Sequence, residues 1–303
     1  MFASLSARAL GLPLTAAETI AEAARAGFGG VDLLVSDIVE AGDDPIRLKS
    51  SMDDHGLRGG AWPLPVAWRG DEATFRGDLG ALPRLAEVAA SLGLSRTCTW
   101  IMPDREPSQP HGAHFDLHVA RLAAVARILA DHGTRLGLEV IGVESFRRPG
   151  SEPFVARLAD LGPLLAALRS EVPGVGVVAD AFHLYAAGEG VDAALAWGVG
   201  SVVWAHVADV PAGDPIGRST LRDDRRGPPG EAGVVDSAGL VAALGAGGYG
   251  GPVTAEPMAG WARRNGLSAA EAIDRVAASL RGLGGPLSGP EPRARSSRSR
   301  DRG

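Results

Sequence analysis

The chain has 303 residues, a hydrophobic fraction of 45%, a charged fraction of 22% and a formal net charge of −6, which are ordinary values for a globular protein. The last eighteen residues carry five Arg and two acidic residues, so the remaining body has a charge of −9. Because a nucleic-acid partner requires a basic face, this body argues against one and leaves a small-molecule partner open. The length suits one (βα)8 barrel with a tail or two smaller domains.

A single cysteine, Cys98, excludes an intramolecular disulfide and is typical of a protein from the reducing cytoplasm. The N-terminus lacks a charged start followed by an apolar run, so no secretory signal is predicted. The uncharged stretch 237–255 is long enough to suggest a membrane span, but residues 247–252 within it predict a turn. We therefore expect a cytoplasmic protein with no membrane partner, and a homo-oligomer is compatible with the sequence.

Strand-like and helical patterns alternate along the first half of the chain. The predicted strands lie at 2–10, 30–35, 57–61 and 95–102, and the predicted helices lie at 15–27, 45–56 and 71–93. The first helix opens on a capping box formed by Thr15 and Glu18 and ends at Gly27. Glycines and Pro83 predict a break near the start of the third helix. A His-rich loop at 103–114 then precedes an amphipathic helix at 115–133.

The second half contains four short apolar strands, and each ends in a side chain that can bind a metal. These strands lie at 136–139, 175–180, 202–206 and 252–256, and they end in Glu139, Asp180, His206 and Glu256. Helical patterns at 153–169, 191–197, 237–246 and 268–280 separate or follow them. Eight strand–helix units predict a parallel sheet closed into a single (βα)8 TIM barrel over residues 1–284, with an open doubly wound sheet as the alternative. Residues 285–303 are predicted to be a disordered tail.

The four strand-end side chains are expected to converge, because the carboxyl ends of barrel strands meet at one face. A lone acid at a strand end is often a solvated loop residue, so the prediction rests on four consecutive strands each carrying a donor. Three carboxylates and one imidazole suit a divalent ion such as Mn2+, Mg2+ or Co2+, with Zn2+ as a further candidate. His183 lies three residues after Asp180, and we expect it to contact substrate and not to be a fifth ligand, with a surface histidine that has no role in the site as the alternative.

On these motifs the chain resembles the xylose-isomerase-like barrel superfamily of sugar phosphate isomerases and epimerases, and within it the inosose isomerase branch. The matching segments are Leu-Glu at 138–139, Val-Ala-Asp-Ala-Phe-His at 178–183, His-Val-Ala-Asp at 206–209, Ala-Glu-Pro at 255–257 and the Arg- and Gly-containing loop 224–236. The resemblance covers about residues 1–282. It implies that the four strand-end residues bind the metal, that His183 and the loop residue Arg226 bind substrate, and that Asp209 joins the site.

The resemblance implies a metal-dependent isomerase or epimerase acting on a keto-sugar or a keto-polyol such as an inosose. In such a reaction the metal chelates the ketone and the neighbouring hydroxyl, which lowers the pKa of the C–H between them and stabilises an enediolate. Glu139 and Glu256 are expected to transfer the proton. Trp62, Trp68 and Trp100 lie near the carboxyl ends of strands three and four, where they are candidates to stack on a sugar or cyclitol face, with core packing as the alternative.

Three other functions remain open at this point. The same site could run a dehydratase or lyase reaction on a related keto-polyol or a dehydroshikimate-like substrate. An apurinic endonuclease would need further His ligands and a basic face, and a non-catalytic sugar-binding protein would not need all four donors. His114 and His118 are four residues apart, but without a third local ligand a substrate contact is the preferred interpretation for the 111–118 segment.

Overall fold

The computed structural model describes residues 1–258, 260–285 and 287–290. In this part of the chain the strands are β1 (Phe2–Ser6), β2 (Gly30–Asp32), β3 (Arg58–Gly59), β4 (Trp62–Pro63), β5 (Arg96–Ile101), β6 (Asp104–Arg105), β7 (Arg135–Val140), β8 (Glu152–Pro153), β9 (Gly176–Asp180), β10 (Val202–Val207) and β11 (Pro252–Ala255). The helices are α1 (Ala16–Ala26), α2 (Val35–Ala41), α3 (Pro45–Asp54), α4 (Glu72–Ser91), α5 (His111–Asp131), α6 (Gly162–Glu171), α7 (Ala181–Ala187), α8 (Val191–Leu195), α9 (Ser237–Ala246), α10 (Trp261–Arg264) and α11 (Ala269–Gly282).

Nine strands form one parallel sheet in the order β3-β2-β1-β11-β10-β9-β7-β5-β4. Its edges, β3 and β4, are two halves of one barrel strand separated only by Gly60 and Ala61, so the sheet closes on itself. Backbone hydrogen bonds cross this interruption, from the Gly60 amide to the Val31 carbonyl at 2.8 Å and from the Leu33 amide to the Ala61 carbonyl at 3.2 Å. The predicted TIM barrel is confirmed, although the third predicted strand is two short segments.

Helices pack around the barrel, so the strands between them are buried on both sides. The predicted capping box of α1 is present, with the Glu18 amide donating to Thr15 Oγ1 at 3.2 Å and Gly27 ending the helix at a φ of 80°. The break predicted in α4 is wrong, because the helix runs through Pro83 without interruption. Its buried residues, which include Phe75 and Leu82, hold that face against the core, and this packing overrides the local helix propensity.

The amino ends of the strands form the closed bottom of the barrel. The Arg58 guanidinium lies 4.1 Å above the Phe2 ring, and the Ser288 amide donates to the Met1 carbonyl at 3.2 Å. Of the predicted tail 285–303, residues 285 and 287–290 belong to the described residues, and residues 286 and 291–303 lie outside them. Within the described ranges, no helix combines the length and the apolar character that crossing a bilayer would need.

Two loops at the opposite end are tied together by the antiparallel pair β6–β8. Asp104 is buried at their junction, where its carboxylate accepts hydrogen bonds from the Arg148 backbone amide at 2.6 Å and from Ser151 Oγ at 2.7 Å. The Arg148 guanidinium adds contacts at 2.8 and 3.0 Å to the same carboxylate. The loops that follow β5 and β7 are thus fixed over the carboxyl ends of the strands.

Candidate metal centre

Four neighbouring strands of the barrel bring the predicted donors together. Glu139 lies on β7, Asp180 ends β9, His206 lies on β10 and Glu256 follows β11 directly. Side chains alternate along a strand, so these residues, at or next to the carboxyl ends, all project into the barrel mouth. One donor atom from each residue lies within 4.8 Å of the corresponding atoms of the other three.

The imidazole of His206 is the centre of this cluster. Its Nδ1 atom lies 3.0 Å from Glu139 Oε1, 3.3 Å from Glu256 Oε2 and 3.9 Å from Asp180 Oδ2. Three of the four side chains are buried, and Glu256 is partly exposed at the mouth. The opposite nitrogen, His206 Nε2, is buried and has no hydrogen-bond partner among the described residues.

Arg226 provides a buried positive charge beside the cluster. Its Nη1 donates to Asp180 Oδ2 at 2.8 Å and lies 3.6 Å from Glu256 Oε2, while Nη2 contacts the Asp223 carboxylate. Burial alone would raise the pKa of Asp180, but the charge of Arg226, followed by those of the two histidines, holds this pKa well below its usual range. Arg226 is therefore placed to keep Asp180 ionised.

Burial and mutual repulsion act differently on the other ligands. Burial raises the pKa of Glu256 to about 7, and the neighbouring Glu139 charge adds to this effect. Burial alone would lower the pKa of His206, but the carboxylates of Glu256, Glu139 and Asp180 outweigh it and raise this pKa to about 9. In the metal-free protein, a proton on His206 thus partly neutralises the cluster.

The donor set and its charge fit a divalent cation. Three carboxylates surround one nitrogen, and Arg226 offsets only one of their negative charges. A divalent cation in the middle of the cluster would lie near all four donors and offset negative charge that Arg226, which also pairs with Asp223, leaves uncompensated. A mixed set of carboxylate oxygens with one imidazole is the type that Mn2+, Mg2+, Co2+ and Zn2+ accept.

His183 lies beside the cluster because Asp180 caps α7. Asp180 Oδ1 accepts hydrogen bonds from the Phe182 amide at 2.7 Å and the His183 amide at 3.1 Å. The His183 ring is buried, with Nδ1 accepting from the Gly142 amide at 3.2 Å and Nε2 lying 2.7 Å from Arg226 Nη2. Sequence reasoning did not identify Asp223, which holds Arg226 in place; its only signal was its position three residues before that arginine.

Asp209 and Trp62, two of the predicted substrate contacts, are both fully buried. Asp209 is fully buried, and its carboxylate oxygens accept hydrogen bonds of 2.6–3.2 Å from the backbone amides of residues 210 and 232–235. These five donors occupy the carboxylate, which therefore holds the loop after β10. Trp62 is 0% exposed within the main hydrophobic core, so its ring has no free face for a substrate.

The other two predicted tryptophans also differ from each other. Trp68 is buried, and its Nε1 donates to Thr99 Oγ1 at 2.8 Å. Trp100 is 43% exposed and is paired in register with Glu139 on the neighbouring strand. Since paired residues of parallel strands project to the same face, the Trp100 ring lies at the barrel mouth beside Glu139.

The His-rich segment begins helix α5 at His111, so the predicted loop ends earlier than expected. His114 and His118 have ring centroids 4.3 Å apart and pack around Phe154 at 4.5 and 4.8 Å. Burial lowers the pKa of His118 to about 4, so this imidazole is neutral near pH 7. The segment lies outside the four-donor cluster, and His118 packs against Trp68.

A cavity of about 360 Å³ lies between the loops that follow β1 and β2, and none of the four donors lines it. Arg8, Asp32, Pro63 and Trp204 are among the residues that line it. Trp204 also contacts His206, with ring centroids 4.6 Å apart. The volume is in the range of small-molecule sites.

Comparisons with known proteins agree with this architecture. A family model described as "Xylose isomerase-like TIM barrel" matches residues 20–283. The solved structure of a xylose isomerase domain protein from Alicyclobacillus acidocaldarius is 25% identical with a TM-score of 0.77, and the match covers 93% of this chain and 98% of that one. No curated protein matches the sequence.

Two further structures share the fold at lower identity. The IOLI protein, solved with a zinc atom bound, is 17% identical with a TM-score of 0.75, covering 93% of this chain and 98% of that one. The 3-keto-D-glucoside 4-epimerase YcjR from E. coli is 17% identical with a TM-score of 0.64, covering 93% and 97%.

Proposed function

Because the chain belongs to the xylose isomerase-like TIM barrel family, we propose that it is a divalent-metal-dependent isomerase or epimerase of a keto-sugar or an inosose-like keto-polyol. The observation that carries this proposal is the convergence of Glu139, Asp180, His206 and Glu256 within 4.8 Å at the mouth of the barrel. A neighbour with bound zinc and a neighbour that is a keto-glucoside epimerase support the same class. We place the protein in the cytoplasm, in keeping with its single cysteine.

The four clustered side chains would hold one divalent ion, with Mn2+, Mg2+, Co2+ and Zn2+ as the candidates. When bound, the ion supplies Lewis-acid polarisation of the substrate carbonyl. Polarisation acidifies the neighbouring C–H bond, and the protein must then remove a proton from that carbon and return one.

Glu256 and Glu139 are placed to move this proton. They come from strands on opposite sides of β10 in the sheet, and their carboxylates lie 3.3 and 3.0 Å from His206 Nδ1. In the metal-free protein, burial raises the pKa of Glu256 to about 7, so its carboxylate is a stronger base than that of an exposed glutamate. Glu139 is the group we assign to proton transfer from the other side of the substrate.

Arg226 and His183 are the groups we assign to substrate hydroxyls. Arg226 is fixed by Asp180 and Asp223, and His183 is fixed by the Gly142 amide, so both side chains are already oriented. The Arg69 guanidinium lies 4.4 Å from the centroid of the Trp100 ring, and the opposite face of this ring, beside Glu139, is the surface that we assign to stacking on the C–H face of a sugar or cyclitol. Positioned groups of this kind lower the entropic cost of reaching the reactive geometry.

The test is solvent-hydrogen exchange on keto-polyols in heavy water at saturating Mn2+. Glu139→Gln and Glu256→Gln keep the size of the side chain but remove the basic oxygen, so exchange should fall by about 100- to 10,000-fold. His183→Asn is the control, which should weaken substrate binding while the metal stays bound. Exchange at the wild-type rate in both Gln variants would refute the proton-transfer roles, and an absorbing enone product would assign a dehydratase instead.

A further inference from the structure

A buried polar network lies inside the barrel beneath the candidate metal centre. Trp204 Nε1 donates to Thr254 Oγ1 at 2.9 Å, and Thr254 Oγ1 donates to Asp32 Oδ2 at 2.6 Å. Asp32 Oδ1 accepts two more hydrogen bonds, from Ser4 Oγ at 2.7 Å and from the Ala61 amide at 2.8 Å. Ser4, Asp32, Trp204 and Thr254 are all buried.

The direction of these hydrogen bonds is fixed by their chemistry. An indole N–H can only donate, so Thr254 must accept from Trp204 and pass its own proton towards Asp32. The barrel also leaves space for this carboxylate, because a Cβ at Gly60 would lie only 2.1 Å from Asp32 Oδ1. Asp32 therefore anchors a hydrogen-bonded chain that allows the Trp204 indole one orientation.

The far end of this chain contacts a candidate metal ligand. Trp204 and His206 are two residues apart on β10, so both project into the barrel. Their ring centroids are 4.6 Å apart and their planes meet at 74°, so the two rings pack edge to face. Any change in the orientation of the indole would therefore change the space available to the imidazole.

His206 lacks the contact that normally orients a metal-binding histidine. Such a residue usually donates its second ring N–H to a carboxylate or a carbonyl, which fixes the ring. His206 Nε2 is buried and has no hydrogen-bond partner in the part of the chain that the structure describes. The edge-to-face contact with Trp204 is therefore the packing contact that we assign to holding the imidazole.

We propose that Asp32, Thr254 and Trp204 form a positioning chain that holds the His206 imidazole in the orientation required for a divalent ion. The indole takes the place of a polar partner on Nε2, and Asp32 is the fixed point of the chain. This inference rests on the proposed function, since it assumes that His206 binds the ion.

The experiment measures Mn2+ affinity by calorimetry on purified full-length variants. Thr254→Val keeps the shape of the side chain but removes the hydroxyl, and Trp204→Phe keeps an aromatic ring but removes the N–H. Each should raise the Mn2+ dissociation constant by about 10-fold, the lower end of the effect typical of residues that orient metal ligands. Thr254→Ser keeps the hydroxyl and should bind Mn2+ within about twofold of the wild type, a difference that is small beside the 10-fold effect expected of a broken chain.

Ser4→Ala is the matched control. It removes a hydrogen bond of 2.7 Å to the same carboxylate but leaves the line from Asp32 to Trp204 intact. It should lower the thermal midpoint without changing Mn2+ affinity. If the network served stability alone, Ser4→Ala and Thr254→Val would change Mn2+ affinity to the same extent. If Thr254→Val does not fold, the Mn2+ affinity of Trp204→Phe tests the inference. This variant is expected to fold because it leaves no buried hydrogen-bond donor without a partner.

Wild-type Mn2+ affinity in both Thr254→Val and Trp204→Phe would overturn the inference, as would equal losses in Ser4→Ala and Thr254→Val. Failure of the proposed function would look different. In that case the wild-type protein itself would bind neither Mn2+ nor Mg2+, Co2+ or Zn2+, and the positioning role would be refuted with it.

Discussion

Metal affinity should depend steeply on pH, because a proton and the ion compete for the same imidazole. The surrounding carboxylates overcome the effect of burial and raise the pKa of His206 to about 9 in the metal-free protein. At pH 7 about 99% of molecules therefore carry a proton on this ring. Metal binding must displace that proton, so the dissociation constant should rise by about 10-fold for each unit that the pH falls from 9 to 7.

Below this range a second group begins to compete. Burial raises the pKa of Glu256 to about 7, so below that pH a proton on Glu256 must also be displaced. The plot of log Kd against pH should have a slope near −1 between pH 7 and 9 and become steeper below pH 7. The sign follows from both groups binding protons in the metal-free state and losing them in the complex.

Calorimetric titration of Mn2+ from pH 6.5 to 9, in two buffers of different ionisation enthalpy, measures both affinity and proton release. About one proton should be released per ion at pH 8. His183→Asn is the control, since it retains all four donors and should give the same slope. A dissociation constant that stays constant from pH 7 to 9, with no proton release, would refute the electrostatic account of the cluster.

Two further predictions concern Asp209 and Trp100. Asp209→Asn replaces one acceptor oxygen with an NH2 group that would face backbone amides, so the free energy of unfolding in urea should fall by about 1–3 kcal/mol. An unchanged urea midpoint would contradict the role of Asp209 in holding the loop. Trp100→Ala should raise KM by about 3- to 10-fold with a smaller change in kcat, whereas Trp100→Phe should retain most of the affinity for substrate. Equal KM values in the wild type and both variants would exclude stacking.

The position of the four donors could be predicted from sequence because the topology of a barrel determines where its strand ends lie. Apolar runs mark the strands, and the carboxyl ends of neighbouring strands must share one face. Glu139 and Glu256 are 117 positions apart in the chain, yet the location of each could be predicted from its position at the end of its own strand. The convergence within 4.8 Å follows from that local relation repeated on four strands.

The roles of Asp209 and the tryptophans could not be predicted in the same way. Asp209 is occupied by amides that lie 23–26 residues further along the chain, and no local pattern shows that distant donors will reach it. Trp62 and Trp100 both lie near strand ends, but the structure buries one in the main core and exposes the other at the mouth. A shift of one position along a strand moves a side chain to the opposite face of the sheet. The interruption at Gly60 and Ala61 prevents the faces from being assigned by counting along the sequence.

The predictions for helices α4 and α5 were wrong for a related reason. The start of α5 at His111 brings His114 and His118 against Phe154, a residue from a loop that follows a different strand. Packing of this kind is long-range, so local propensity cannot reveal it. The same holds for α4, which stays continuous across Pro83 because its apolar face is buried against the rest of the fold.

The contact between Met1 and Ser288 brings two distant parts of the sequence together at the bottom of the barrel, on the side away from the mouth. A short linker could join residues 1 and 288 without stretching the backbone, so the segment 1–288 is suited to circular permutation. New termini could then be opened in an exposed loop on the same side. An anchor to a solid support through this end would leave the cavity beside Trp204 facing solution, which favours immobilised use of the protein.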